Sequence, residues 1–256
     1  MAGSGLSVDT AFVVVSCDKY SDLWQPFFRC LRKYWPDCPF PQFLVTNHQR
    51  AEIEGVEVLA VGPDTSYSDN IRAAMSSIPQ EWVILWLDDV FLSAGVDSAR
   101  LVALLASARK DGAGFLKLSA DMPMSYTDDF LAEIGPLPKG IRYRAAIGCG
   151  WYKKDTLLKL LVPGASAWEL DRSGVCDALD EPFYALTPMG ARCPPFAYAH
   201  LLVKGRWLLD ALPFLRREGL EELRKTRQPQ SLASYLYGKG YHFRLFLYRA
   251  FRVYWR

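Results

Sequence analysis

An α/β fold with a mostly parallel central sheet is predicted by two features of the chain. Short β-branched or strongly apolar runs, typical of buried strands, alternate with amphipathic helical segments through residue 118. Because parallel strands need crossover segments between them, these helices would cover both faces of the sheet. The length of 256 residues is enough for one large domain with a sizeable core.

The first strand and the first helix are predicted from clear patterns. Ala11–Ser16 is a short β-branched run of the buried-strand type. Apolar residues then recur on one helical face from Trp24 to Trp35, and Pro36 would end that helix.

The most hydrophobic run, Trp82–Leu87, is expected at the centre of the sheet. After about residue 120, Pro and Gly become frequent and the alternation loosens. The other predicted strands are Phe40–Thr46, Glu57–Val61, Gly114–Leu118 and Ala145–Tyr152, and the other helices are Asp69–Ile78, Ser98–Ala108 and Asp155–Leu161.

The chain is divided into one domain, residues 1–223, and a basic aromatic tail, residues 224–256, which has no Asp or Glu. In residues 241–256, apolar and aromatic side chains fall on one helical face and arginines on the other. This pattern is typical of a helix lying in the plane of a membrane surface. A terminal helix packed on the domain, with its arginines in water, explains it equally well.

Several classes of protein are not expected. The formal charge of +2 is lower than is usual for proteins that bind nucleic acid. No apolar run is long enough to span a membrane, and no signal peptide pattern is present, so a cytoplasmic location is expected. The six cysteines form no Cys-x-x-Cys pair, and the glycine-rich phosphate-binding motifs of dehydrogenases and P-loop enzymes are absent.

Two carboxylates, Asp88 and Asp89, follow directly on the strand Trp82–Leu87. Ligands of open α/β sheets bind at the carboxyl ends of strands, where carboxylates hold a divalent cation and, through it, a diphosphate. In the alternative interpretation Asp88 caps a turn and Asp89 is solvated.

Ser16 and Asp18 lie at the end of the first strand, where they would bond a base or ribose. Asp18 fits a turn residue equally well.

Trp168 lies beside Glu169 and Asp171, a combination suited to binding a sugar, because an indole stacks on a pyranose while a carboxylate accepts from its hydroxyls. One of the two acids would deprotonate an attacking hydroxyl. A buried Trp with two surface acids is the alternative.

His200 precedes a basic turn containing Lys204, which would approach phosphates. His200 would be a metal ligand or a structural residue.

These segments together resemble bacterial GT-A type glycosyltransferases, and most of all the small enzymes that build surface polysaccharides. Each stretch is short, and their order along the chain carries the resemblance. The stretches are VVVSCDKYSDLWQPFFRCLRKYWPDCPFPQFLVTN, SYSDNI, WVILWLDDVFL, GWYKKDTLLKLL, SAWELD and HLLVKGRW.

The resemblance implies a GT-A sheet and a metal site. Asp88 would lie at the donor diphosphate, and Asp89 with His200 would hold Mn²⁺ or Mg²⁺. The sequence reads Asp-Asp-Val rather than Asp-x-Asp, so the metal would rest on Asp89 alone or be dispensable.

The remaining roles implied by the resemblance concern the donor and the acceptor. Donor-binding residues would be Ser16 and Asp18 at the base, Asp69 and Asn70 near the nucleotide sugar, and Lys204 at the phosphates. Either Glu169 or Asp171 would be the catalytic base, with Trp168 supporting the acceptor sugar.

The expected function is that of a metal-assisted, hexosyltransferase-like enzyme. It would transfer a sugar from a nucleotide-sugar donor, with UDP as the expected carrier, to a glycan or lipid-linked acceptor at the cytoplasmic face of the membrane. One alternative is a nucleotidyltransferase, which would carry a Gly-rich basic loop after the first strand. Another is a non-catalytic nucleotide-sugar-binding partner of a polysaccharide assembly complex.

Overall fold

An eight-stranded sheet forms the centre of the protein in the computed structural model, which describes residues 9–120, 124–141 and 143–250. The strands of these residues are β1 Thr10–Val15, β2 Gln42–Thr46, β3 Val56–Ala60, β4 Trp82–Leu87, β5 Val90–Leu92, β6 Phe115–Lys117, β7 Ile134–Pro136, β8 Gly150–Lys153, β9 Phe183–Leu186, β10 Tyr198–His200, β11 Leu202–Val203 and β12 Arg206–Trp207. The helices are α1 Ser21–Tyr34, α2 Tyr67–Met75, α3 Ser98–Lys110, α4 Lys154–Leu160, α5 Ala167–Leu170, α6 Leu212–Arg217 and α7 Leu232–Ala250.

The order of strands in the sheet is β3-β2-β1-β4-β8-β6-β9-β7. Strands β3, β2, β1 and β4 are parallel, as are β6 and β9, whereas β8 runs antiparallel between β4 and β6 and β7 runs antiparallel to β9. Val15 lies opposite Leu87, so β1 and β4 end at the same edge of the sheet. The predicted mostly parallel sheet with Trp82–Leu87 near its centre is confirmed.

Helices cover both faces of the sheet, as predicted. Alternate residues of β1 contribute to different cores, because successive side chains of a strand point to opposite faces. Phe12 packs in the core that includes α1 and α3, and Val13 packs in the core that includes α2 and α4. Each face of the sheet is therefore buried by helices supplied by the crossovers.

Most predicted strands and helices end within two residues of the observed elements, and two of them differ for reasons that the structure shows. Helix α2 begins at Tyr67 rather than Asp69, because the Ser66 side chain accepts a hydrogen bond from the Asp69 N–H at 3.0 Å and caps the helix. The predicted strand Ala145–Tyr152 is replaced by the shorter β8. The preceding residues leave the sheet, since Tyr143 and Cys149 have left-handed backbones with φ of 61° and 46°.

The chain beyond β9 returns to the segment that follows β4. Strand β10 pairs with β5, and Trp207 exchanges backbone hydrogen bonds with Gln228 and Gln230, at 3.0 and 2.8 Å. Helix α7 follows where the tail helix is predicted, and residues 251–256 of that prediction lie outside the described residues. The predicted boundary between residues 223 and 224 stays a prediction. No helix among the described residues is both long and apolar enough to cross a membrane.

Candidate functional site

The end of β4 carries a buried carboxylate that is bonded to the end of β1. We call Ser16, Asp88 and Asp89 the acidic edge. Asp88 is 7% exposed, and its carboxylate accepts a hydrogen bond from the Ser16 hydroxyl. The Trp24 indole N–H donates to that hydroxyl oxygen at 2.6 Å, which directs the Ser16 hydrogen toward Asp88. The structure thus brings together two of the predicted donor-binding residues.

The charges of the acidic edge are poorly solvated. Burial, with the neighbouring charge of Asp89, raises the pKa of Asp88 well above its usual range, against the opposing effects of Ser16 and Arg227. Burial also raises the pKa of Asp89, while His200 and Arg227 oppose that increase. Two carboxylates in this state are stabilised in ionised form by an added cation.

The fit of a divalent metal rests on these carboxylates and on His200. His200 lies opposite Val90 in the β5–β10 pair, and the Asp89 carbonyl accepts from the Leu201 N–H at 2.8 Å. Strand pairing therefore keeps the exposed His200 near Asp89. The described residues contain no group of three His, Cys, Asp or Glu side chains arranged as a metal site. A metal ion at this edge therefore stays a prediction, and Mg²⁺ would need one or two of these carboxylates with phosphate and water completing its shell.

Two basic residues from the C-terminal part of the chain, Lys204 and Arg227, lie near the segment that follows β1. Lys204 is exposed in the two-residue turn between β11 and β12, where Lys204 and Gly205 have φ of 49° and 72°. A side-chain carbon at Gly205 would lie 3.7 Å from the Tyr20 hydroxyl, so the turn packs against the segment after β1.

Arg227 was not among the residues predicted from the sequence. Its guanidinium binds both carboxylate oxygens of Asp22, donates to the Lys19 carbonyl at 2.9 Å and lies 4.9 Å from the Tyr20 ring centroid. Its charge acts on the pKa of Asp88. No sequence motif marks it, because it lies in the basic tail segment, far along the chain from its partners.

Asp18 joins the carboxyl ends of β1 and β2. Its carboxylate accepts from the backbone N–H groups of Asn47, His48 and Gln49 at 3.0–3.2 Å. Slight burial opposes ionisation, but these hydrogen bonds outweigh it and lower the pKa of Asp18. Asn47 accepts from the Asp18 N–H in return, and its own buried Nδ2 has no partner in the described part of the chain. The base contact assigned to Asp18 stays a prediction, and Asn47 is a further polar candidate at this position.

Asp69 and Asn70 organise the start of α2. Asp69 accepts from the Ser66 hydroxyl at 2.7 Å and from the Gly164 N–H at 3.1 Å. The buried Asn70 amide donates to Asp64 at 2.9 Å. Both side chains therefore hold loops together, and their predicted contact with a nucleotide sugar stays a prediction.

The two acids near Trp168 have different surroundings. Glu169 is exposed and forms a capping box with Ser166, whose hydrogen bonds lower the pKa of that glutamate. Asp171 is half-buried, and burial raises its pKa against the opposing hydrogen bond from the Ile147 N–H, 2.7 Å long, and the charges of Lys117 and Arg172. Trp168 is 62% exposed rather than buried.

Asp171 is held against residues 143–149, which we call the Ile147 segment. The Tyr67 hydroxyl donates to the Ile147 carbonyl at 3.1 Å, and the Tyr152 hydroxyl donates to the Ala146 carbonyl. A side-chain carbon at Gly148 would lie 3.3 Å from Leu87, the residue before Asp88. The Ile147 segment therefore lies between the end of β4 and Asp171, and it connects the two groups of acids.

A pocket of about 350 Å³ opens beside Asp171. Its volume is within the range of small-molecule sites. The wall is both polar and apolar, so a ring with hydroxyl groups and C–H faces would find partners there. The pocket is lined by Gly140, Ile141, Tyr143, Arg144, Ala145, Ile147, Leu160, Leu170, Asp171, Arg172, Ser173, Gly174, Cys176 and Asp177.

No family model and no curated protein matches the sequence. Solved structures match the fold. Staphylococcus aureus TarS, a glycosyltransferase, superposes in its complex with UDP-GlcNAc with a TM-score of 0.50 and 11% identity, covering 84% of this chain and 66% of that one. The chain spans 58% of TarS 1-349 in another match. UTP-bound UGPase from Acinetobacter baumannii has a TM-score of 0.48 and 12% identity, covering 83% of this chain and 94% of that one.

The fold is of the GT-A type. The predicted fold class is confirmed by the sheet described above and by the likeness to the TarS complex with UDP-GlcNAc, and at 11% identity that likeness concerns the fold alone.

Proposed function

We propose that the protein is a glycosyltransferase that uses a nucleotide-sugar donor, with UDP as the carrier. The observation that carries the proposal is that two separate acidic groups, the acidic edge and Asp171, lie beside the Ile147 segment. The acidic edge is suited to a donor diphosphate, and Asp171 lies in a sugar-sized pocket on the other side of the Ile147 segment. The UDP-GlcNAc complex of TarS, whose fold this chain shares, supports this choice of donor.

In the proposed reaction, an acceptor hydroxyl in the pocket attacks the anomeric carbon of the donor. The new C–O bond forms as the bond to the diphosphate breaks, and the electron pair leaves with the nucleoside diphosphate. Asp171 takes the proton of the hydroxyl. Its raised pKa suits a general base better than the lowered pKa of the exposed Glu169.

Negative charge develops on the leaving diphosphate. Asp89, with Asp88 and His200 beside it, would hold Mg²⁺ or Mn²⁺, and the bound cation would offset that charge. Lys204 lies on an exposed turn near Tyr20, where its ammonium would add to the same effect. These residues would stabilise the transition state in a way that a binding module does not require.

A nucleotidyltransferase fits the local structure less well. Instead of a Gly-rich loop, the residues after β1 form a short 3-10 turn, Asp18–Tyr20, and Asp18 is bonded to the end of β2. We propose that the product is part of a surface glycan made at the cytoplasmic face of the membrane, as the sequence resemblance implies.

The test is a screen of nucleotide sugars by thermal shift, with and without Mn²⁺, followed by a turnover assay. Ligands that bind the native state raise its melting temperature. We expect a UDP-sugar to stabilise the protein and to be consumed, with slow hydrolysis when no acceptor is present. Asp89→Ala should remove the Mn²⁺-dependent part of both effects.

Other outcomes contradict the proposal. Binding without turnover would identify a binding module. Formation of a UDP-sugar from UTP and a sugar 1-phosphate would identify a nucleotidyltransferase. Full activity of Asp89→Ala would show that the metal role is wrong.

A further inference from the structure

Helix α7 has an apolar face that is open to solvent. Leu232, Leu236 and Phe243 are 65%, 60% and 60% exposed. Their spacing places them on one side of the helix. Large apolar side chains exposed together on one helical face are unusual in a monomeric protein and indicate an interaction surface.

Polar contacts attach α7 to the rest of the protein. The Tyr235 hydroxyl donates to Asp210 at 3.1 Å, and the Lys239 ammonium lies 2.7 Å from the other oxygen of the same carboxylate. The hydroxyl oxygens of Tyr241 and Tyr143 are 3.4 Å apart. The helix is therefore fixed by its hydroxyl and ammonium groups, while the apolar side chains named above stay exposed.

The charge of this part of the chain favours one type of partner. Residues 239–256 contain no Asp or Glu, and their basic residues are Lys239, Arg244, Arg249, Arg252 and Arg256. An exposed apolar face together with an excess of basic residues is the combination that anionic bilayer surfaces attract. A second copy of this chain would bring two such positive segments together, which charge repulsion opposes.

The position of α7 relates this surface to the candidate site. Tyr143, which contacts Tyr241, also lines the pocket that contains Asp171. Tyr241 lies on the side of α7 opposite to Leu232 and Phe243, so a bilayer touching the apolar face would lie one helix diameter, about 10 Å, from Tyr143 and the pocket. A sugar held above the membrane surface by a lipid-borne linker of that length would reach the pocket without leaving the membrane.

We propose that α7 lies in the plane of an anionic bilayer through Leu232, Leu236 and Phe243, and that the acceptor entering the Asp171 pocket is carried by a membrane lipid. The statement about the acceptor rests on the proposed function, whereas the statement about the bilayer does not.

The first experiment measures co-sedimentation of the full chain with vesicles of phosphatidylcholine alone or mixed with phosphatidylglycerol. We expect binding only to the mixed vesicles, and weaker binding as salt is added. The double variant Leu236→Glu with Phe243→Glu should reduce the bound fraction at least about tenfold, because carboxylates on that face oppose both insertion and charge attraction. The matched control is Leu131→Glu, at a position 80% exposed outside α7, which should bind as the wild type does.

Circular dichroism and melting temperature check that the double variant is folded, as expected when exposed side chains are replaced. Equal binding of the double variant and the wild type would overturn the proposal, as would equal binding to both kinds of vesicle. The oligomeric state of both proteins is measured by light scattering after size exclusion, as a further test. A dimer that becomes a monomer in the double variant would show that the face joins two copies.

The second experiment compares transfer to a polyprenyl-diphosphate-linked sugar in mixed vesicles with transfer to the soluble methyl glycoside of that sugar. We expect the double variant to lose the first activity about tenfold and to keep the second. Equal loss of both would contradict the statement about the acceptor. If vesicles are bound but no donor is consumed by the wild type, the proposed function fails while the bilayer contact stands.

Discussion

The acidic edge and the Ile147 segment are built in different ways. Ser16 and Asp88 follow the ends of two paired parallel strands, so the register of β1 and β4 brings them together. Ile147 lies in irregular chain between two residues with left-handed backbone, and side chains from α2 and from the turn after α5 hold it. A rigid sheet edge can be specified by two strands, whereas a shaped loop needs contacts from several distant elements.

The largest expected difference between the two regions is in catalysis. Asp171→Asn should lower kcat by about 10²–10⁴-fold, because the amide cannot accept the proton of the acceptor hydroxyl. Donor binding, measured by thermal shift, should stay unchanged, since it depends on the acidic edge. Initial rates of Glu169→Gln, an exposed acid of similar position, provide the matched control and should change little. A large loss of kcat in Glu169→Gln with normal kcat in Asp171→Asn would show that Glu169, and not Asp171, is the catalytic base.

The free energy of unfolding should fall most when a residue of the acidic edge is replaced. Ser16→Ala would leave the Asp88 carboxylate and the Trp24 N–H without the hydroxyl that now bonds both. We expect the free energy of unfolding in urea to fall by about 1–3 kcal/mol. The matched control is Ser76→Ala, which removes an exposed hydroxyl bonded to a helix carbonyl. It should change the free energy of unfolding by less than about 0.5 kcal/mol. Equal effects of the two variants would contradict a specific role of Ser16.

Tyr67→Phe tests whether the Ile147 segment positions Asp171. Losing the hydroxyl bond to Ile147 should cost about 0.5–1.5 kcal/mol of stability and lower kcat up to about tenfold, with donor binding unchanged. Tyr184→Phe serves as the control, because Tyr184 packs on the opposite face of the sheet. A change in donor binding with unaltered kcat would show that Tyr67 acts on the acidic edge instead.

The smallest expected effect is a shift in the pH profile. The pH–rate profile should have an ascending limb, because Asp171 must be ionised to act as a base. Since burial raises the pKa of Asp171, the midpoint of that limb should lie above the usual aspartate pKa of about 4. Lys117→Met removes a charge that favours ionised Asp171, so the limb should move to higher pH. Rates of transfer measured from about pH 4 to pH 8 would locate it. A limb that stays in place in Lys117→Met would show that Lys117 does not act on this group.

The same contrast explains what could be predicted from the sequence. The buried runs that form β1 and β4 are visible as local patterns, so the strands and the position of the acids directly after β4 could be predicted. The roles of Tyr67, Asn47 and Arg227 depend on partners far away in the chain, for which no spacing rule exists. The proposed preference for Asp171 over Glu169 also required the structure, since burial differs between two acids that are two residues apart.

The position of β8 has a consequence for the folding of the nascent chain. Strand β4, the most hydrophobic run, is flanked by β1 and β8, and β8 lies about 60 residues later in the sequence. While the protein is being synthesised, β1 and β4 are complete long before β8 leaves the ribosome, so one side of β4 presents unpaired backbone groups during that interval. Release of residues 150–153 closes this edge, and a chain interrupted before them keeps an aggregation-prone strand exposed.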